Sequence, residues 1–240
     1  MDGDLRRAII LKLIHNPRLQ FNELWAKQGE SNLFTYHLKK LEDEGLVTKF
    51  DDGYGLTVEG KKLSAFIEGD TGGKAELPTP TVIVVPRKGN KILCQQRLKE
   101  PFYGVWGVVS GKINFGWNPL ECAKRDLLEE TGLTAHDATL RMIEFMKTYD
   151  NEKLLHHHLM YFVEVSECSG ELKVNTHKAH HEWLTPEEYK AKPKFPGNWM
   201  VDVVLPSKNF FIIEAERHMK DGKFVDAKLI NVQEFVSKEK

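Results

Sequence analysis

The stretch Gly111-Lys112-Ile113-Asn114-Phe115-Gly116-Trp117-Asn118-Pro119-Leu120-Glu121-Cys122-Ala123-Lys124-Arg125-Asp126-Leu127-Leu128-Glu129-Glu130-Thr131-Gly132-Leu133 carries the densest set of local signals in this 240-residue chain. Asn118 is a good N-cap, Pro119 suits the first helical position, Glu121 completes a capping-box arrangement, and Gly132 suits a left-handed stop. Together they predict a helix over 119–131. On it Asp126, Glu129 and Glu130 fall at i, i+3 and i+4, three carboxylates on one face. Like charges so placed oppose one another. A hard divalent cation removes the conflict, and Mg²⁺ is commonly held by a few carboxylates together with the phosphate oxygens of a substrate. A solvated acidic face has the same spacing, so the helix alone leaves metal binding open.

The whole stretch resembles the Nudix box, G-x5-E-x7-R-E-U-x-E-E-x-G-U with U apolar. Gly111, Arg125, Leu127, Glu129, Glu130, Gly132 and Leu133 match it in register. Residues 104–113 before the box and 181–188 after it look like the family's flanking strands and a following helix, so the resemblance covers roughly 80–205. It implies an α/β Nudix fold, an α/β/α sandwich around a mixed sheet, with the box as a loop-helix-loop. It further implies Mg²⁺- or Mn²⁺-dependent hydrolysis of the diphosphate linkage in a nucleoside diphosphate derivative. Asp126, Glu129 and Glu130 would be metal ligands, one of them also the base, with the Gly111 carbonyl and the outlying Glu182 as further ligands. Arg125 would orient the carboxylates. Two positions depart from the pattern. Trp117 replaces the glutamate that supports the box arginine, and Asp126 is one methylene shorter than the expected acid. Trp117 is also the aromatic side chain expected to line the nucleotide pocket.

Ahead of this segment, residues 68–80 read EGDTGGKAELPTP, with paired glycine, two prolines and almost nothing to bury, as a linker does. The chain is thus read as domain 1–68, linker 69–80 and domain 81–240. In the first, a helical stripe runs from Leu5 to His15 and stops before Pro17. Phe21, Leu24 and Trp25 mark a short second helix, and Phe34, Leu38 and Leu41 a third that ends at Gly45. Residues 46–50 and 56–58, around the turn Asp51-Asp52-Gly53-Tyr54-Gly55, read as a hairpin, and 61–67 as a closing helix. The runs FTYHLKKLEDEGLV and GYGLTVEGKKL resemble the recognition helix and wing of ArsR- and MarR-type regulators. That resemblance implies a small α+β winged helix-turn-helix bound to double-stranded DNA, with Asn32, Thr35, Tyr36 and Lys39 facing the groove and Lys40 and Lys49 on the backbone.

Charge does not add to that expectation. Residues 1–69 hold ten Lys+Arg and eleven Asp+Glu, and the remainder holds twenty-four of each, so neither part is basic. Glu42, Asp43 and Glu44 close the third helix and would repel phosphate. Winged helices also serve in dimerisation, which makes a homodimer a further expectation. Cys94, Cys122 and Cys168 are too widely spaced for a zinc site or a disulfide scaffold, and no run is long and apolar enough for a membrane span or a signal. A cytoplasmic protein without membrane partners is expected.

Alternation along a strand should split His156, His157 and His158 between faces. Residues 210–219 are read as helical and 224–236 as mixed. Arg125, Glu129, Glu130 and Gly132 favour a hydrolase. The fusion and the changes at Trp117 and Asp126 favour the alternative, a transcriptional regulator whose Nudix-like domain senses a nucleotide such as ADP-ribose with little or no hydrolysis.

Overall fold

A computed structural model describes residues 2–27, 29–69, 71, 74–197 and 199–236. The chain divides into two compact units, Met1–Leu77 and Pro78–Lys240.

In the first unit, α1 (Asp2–His15), α2 (Phe21–Trp25) and α3 (Ser31–Asp43) precede strands β1 (Val47–Phe50) and β2 (Gly53–Leu56) and helix α4 (Val58–Ser64). Ile9, Leu13, Leu24, Phe34, Leu38 and Leu41 from the first three helices meet Val47 and Leu56 in one core. The hairpin departs from the sequence reading. Its turn is Asp51-Asp52 alone, and Gly53 and Gly55 lie inside β2. They are small because the chain before α2 packs against them: Leu19 exchanges hydrogen bonds with Tyr54, and a Cβ at Gly53 would stand 2.7 Å from the Leu19 carbonyl oxygen. Val58 opens α4 instead of ending a strand, since Thr57 caps that helix by accepting from Gly60 N. Ile67 bridges Lys74, which draws part of the predicted linker into this unit.

The second unit is built on one mixed sheet. Its strands are β3 (Thr79–Lys88), β4 (Lys91–Arg97), β5 (Trp106–Gly107), β6 (Val109–Lys112), β7 (Thr134–Asp150), β8 (Lys153–Ser169), β9 (Ala179–Leu184), β10 (Phe210–Lys220) and β11 (Lys223–Phe235). The order is β11-β10-β7-β8-β3-β4-β5, with β6 on β3 and β9 on β4. Two of the pairings, β3 with β8 and β7 with β10, are parallel. Helix α5 (Pro119–Thr131) covers one face through Cys122, Ala123 and Leu127, which pack on Val82, Val84, Val163 and Val165. The other face is covered by Tyr189 of α6 (Pro186–Ala191) and by Val201 and Val204 of a π-helical turn, Met200–Val204. This is the α/β sandwich with a mixed sheet that the box implies.

Residues 210–219 form strand β10, not the expected helix. Phe211, Ile213 and Ala215 are buried at a spacing of two, and parallel pairing to β7 fixes the extended form. The long ribbon β7–β8 is irregular. Leu140 pairs with Val163 and Met142 with Phe162, leaving Arg141 as an extra residue in a bulge. Arg141 then turns inward, where it and Arg87 hold the buried carboxylate of Glu164 and Arg141 also donates to the Ser207 carbonyl.

Candidate functional site

Helix α5 begins and ends as its sequence directs. Asn118 accepts from Leu120 N and Glu121 N, and the Glu121 carboxylate accepts from Asn118 N at 2.8 Å. Gly132 stops the helix at φ 79°. The face so fixed presents Asp126, Glu129 and Glu130, with Arg125 beside them.

Asp126 is 7% exposed. Its Oδ1 accepts from Arg125 Nε at 2.9 Å and Nη2 at 2.6 Å, whereas its Oδ2 is buried and has no partner among the described residues. Gly111 on β6 lies against that carboxyl group, and a Cβ there would stand 2.7 Å from Asp126 Cγ and closer still to Oδ2. Burial raises the Asp126 pKa, with Glu129 adding to the effect and Arg125 opposing it. Burial also raises that of Glu130, which Lys99, Lys178 and Arg97 counter with positive charge. The helix face thus offers carboxylates that are poorly solvated as they stand, ringed by cations.

Trp117, at the position of the pattern's glutamate, is 46% exposed and lies 5.4 Å from Arg125 Cζ, ring centroid to guanidinium. The box arginine is therefore covered by an indole and held by its own neighbour, Asp126. Among the described residues no three His, Cys, Asp or Glu side chains converge closely enough to hold a metal unaided. The orphaned Asp126 Oδ2 against Gly111 nevertheless fits an oxygen-seeking divalent cation, which a carboxylate set with Glu129 and Glu130 suits. Glu182, on β9, accepts a hydrogen bond from Lys192 at 3.0 Å.

Beside Gly111, Ser110 and Lys112 open into a cavity of about 380 Å³ on the sheet face away from α5. Arg97 lines it too, linking it to the surroundings of Glu130. Glu144, Trp199 and Arg217 line it, as do Phe102, Phe195 and Phe224, which are in mutual contact. His156 and His158 line it as well, while His157 faces a second, smaller cavity, so strand alternation does divide the three. Sequence reasoning missed Arg97, Lys99, Lys178, Glu144 and Arg217. Alternation of apolar and charged residues along β7 and β10 is the only signal that bears on the last two.

A family model described as NUDIX domain matches residues 77–202. The chain belongs to the NUDIX family. The chain is similar to several solved structures. One is a mutator MutT protein from Bacillus halodurans, at 24% identity, 63% of this chain, 97% of that chain and a TM-score of 0.54. Others are a MutT NUDIX hydrolase from Burkholderia pseudomallei (23%, 47% and 87%, TM-score 0.41) and the NUDIX domain of Shewanella oneidensis NrtR complexed with ADP ribose (18%, 57% and 90%, TM-score 0.41). The first of these supports the fold. Strands β10 and β11 lie beyond the matched residues of the NUDIX domain. In the other unit, Asn32, Thr35, Tyr36, Lys39 and Lys40 on α3 and Lys49 on β1 are all exposed, and Lys40 Nζ lies 4.8 Å from the Tyr36 ring centroid. No helix among the described residues is long and apolar enough to cross a membrane.

Proposed function

We propose that the NUDIX unit hydrolyses the diphosphate linkage of a nucleoside diphosphate derivative with Mg²⁺ or Mn²⁺. The observation that carries this reading is Asp126, whose buried Oδ2 has no partner and faces Gly111 on the helix face shared with Glu129 and Glu130. The metal would be held by Asp126, Glu129, Glu130 and the Gly111 carbonyl. When bound, it supplies positive charge to the phosphate oxygens and acidifies water. Arg125 fixes Asp126 through two hydrogen bonds to one oxygen and leaves the other free. Lys99, Lys178 and Arg97 attract the diphosphate and offset the charge of Glu130. One of the α5 carboxylates takes the proton from the attacking water.

The test is a screen of nucleoside diphosphate derivatives with Mg²⁺ or Mn²⁺, comparing the wild type with Glu130→Gln. Turnover by the wild type that falls at least 100-fold in the variant supports the reading. Micromolar binding without turnover above the variant sinks it. That second outcome supports a nucleotide sensor, for which the cover of Trp117 over Arg125 speaks.

The first unit we read as a winged helix-turn-helix that binds double-stranded DNA. Its support is the order of three helices, hairpin and closing helix, with the polar residues of α3 exposed. Asn32, Thr35, Tyr36 and Lys39 would meet the groove, with Lys40 and Lys49 on phosphates. Salt-dependent binding to promoter fragments that weakens in Lys39→Ala/Lys40→Ala is the expected result. Equal binding by both proteins counts against it.

A further inference from the structure

A cavity of about 380 Å³ in the NUDIX unit is lined by two ionisable groups that the α5 chemistry does not use, the buried Glu144 and the half-buried Arg217. Glu144 on β7 accepts from Trp199 Nε1 through Oε1 at 2.6 Å, and its Oε2 has no partner among the described residues. Arg217 on β10 donates from Nε to the Pro196 carbonyl at 3.2 Å, and its Nη1 and Nη2 have none among them either. The two do not close into an ion pair. Arg217 stands beside Thr148 in the parallel register, four residues along β7 from Glu144, which is roughly 13 Å of strand. Burial pushes the Glu144 pKa up and the Arg217 pKa down, and each partly relieves the other.

A carboxylate and a guanidinium taken out of water are costly unless each finds hydrogen-bonding partners. Both groups line the cavity and keep hydrogen-bonding capacity there that an occupant can fill. It must offer an N–H to Glu144 and an acceptor to Arg217. It must also be flat. Phe102, Phe195 and Phe224 sit 5.0–5.5 Å apart at the side of the cavity, and Arg217 Cζ lies 5.2 Å from the Phe195 ring centroid. A volume of about 380 Å³ lies within the usual size of ligand pockets, about 300–1,000 Å³. Ser110 and Lys112, on either side of Gly111 in β6, line it too.

We propose that the β10–β11 hairpin completes a nucleobase site, in which Glu144 and Arg217 read a base edge that presents an N–H donor next to a hydrogen-bond acceptor. This rests on the reading of the α5 face as the diphosphate site. It adds that base selection depends on residues beyond the matched NUDIX stretch, since Arg217 and Phe224 both come from that hairpin. Guanine and uracil present such an edge as ring N–H beside carbonyl, adenine and cytosine as amino group beside ring nitrogen.

The experiment is calorimetric titration of the full chain with GDP, UDP, ADP and CDP, and with inorganic diphosphate as the base-free probe. At least one nucleotide should bind ten-fold or more tighter than inorganic diphosphate. Glu144→Gln and Arg217→Met should each lower affinity for that nucleotide at least ten-fold and leave inorganic diphosphate within two-fold. Arg217→Lys, which keeps the charge and loses the fork, should lose base discrimination also. Preference for GDP and UDP would assign the carbonyl edge, and preference for ADP and CDP the amino edge. Nucleotides that bind no tighter than inorganic diphosphate, or variants that lose both ligands equally, overturn the proposal. Because binding is read without turnover, an inactive wild type that still discriminates bases refutes hydrolysis and leaves the base site standing.

Discussion

Substitution of Gly111 by alanine tests the geometry on which the site rests. The backbone at 111 is in an ordinary conformation, so a side chain there causes no torsional strain. The whole penalty comes from the Asp126 carboxyl group, whose Cγ and Oδ1 would lie 2.7 and 3.1 Å from the new methyl and whose Oδ2 would lie closer still. Asp126 is short and pinned by Arg125, so it cannot yield without losing those hydrogen bonds. Overpacking of this kind costs about 1–3 kcal/mol, or a fall of about 2–12 °C in melting temperature for a unit of this size. The assay is a double-mutant cycle by thermal and urea unfolding of wild type, Gly111→Ala, Asp126→Ala and the double variant. With the carboxyl group gone, the methyl has room and Gly111→Ala should cost less than about 0.5 kcal/mol. An equal cost in both backgrounds would show that the methyl meets something other than Asp126. No cost in either would show that β6 and α5 do not approach this closely.

Other perturbations follow from neighbouring features. Glu164→Gln leaves Arg141 buried without its charge partner and should destabilise the NUDIX unit by about 3–5 kcal/mol, seen in the urea midpoint. Gly60→Ala drives a methyl to 3.0 Å from the Leu46 carbonyl carbon and closer to its oxygen, so the first unit should lose about 1–3 kcal/mol while the melting of the second is unchanged. Burial raises the Cys94 pKa to about 12, so a native thiol titration at pH 8 should modify Cys168 well before Cys94 or the buried Cys122, and all three in denaturant. The Glu144 pKa lies higher in the folded than in the unfolded chain, so its contribution to stability is full below the ordinary 4.5 and lost as pH rises toward the folded value. His158 and His181, whose pKa values are lowered by burial, act in the opposite sense below 6.5. The readout is therefore the difference in melting temperature between Glu144→Gln and wild type, which should grow with pH; a constant difference would refute it.

Local signals account for what the sequence made legible. Asn118 and Gly132 at its two caps, with Pro119 and Glu121 in its first turn, define the thirteen residues of α5, and the spacing of Asp126, Glu129 and Glu130 then follows from helical geometry. The alternation at His156 to His158 is equally local. Residues 210–219 were opaque because their extended form depends on parallel pairing to β7, some seventy residues earlier. Glu144 and Arg217 share a cavity through that same pairing. The box pattern set residue 117 beside Arg125, but that an indole would lie over the guanidinium depends on how the loop folds back on the helix.

The bulge at Arg141 governs more than the clamp on Glu164. Leu140 packs toward α5 and Met142 toward the opposite core, although they are two apart in one strand. A regular strand would send both to the same side. The extra residue reverses the parity of everything after it, which is why Glu144, Met146 and Thr148 are buried while Phe145 and Lys147 are exposed. Deletion of Arg141 would exchange those two sets, replacing the acidic wall of the cavity with Phe145 and Lys147. One residue inserted in a strand thus acts as a frame choice, by which the same nine residues of β7 can present either of two chemically different linings.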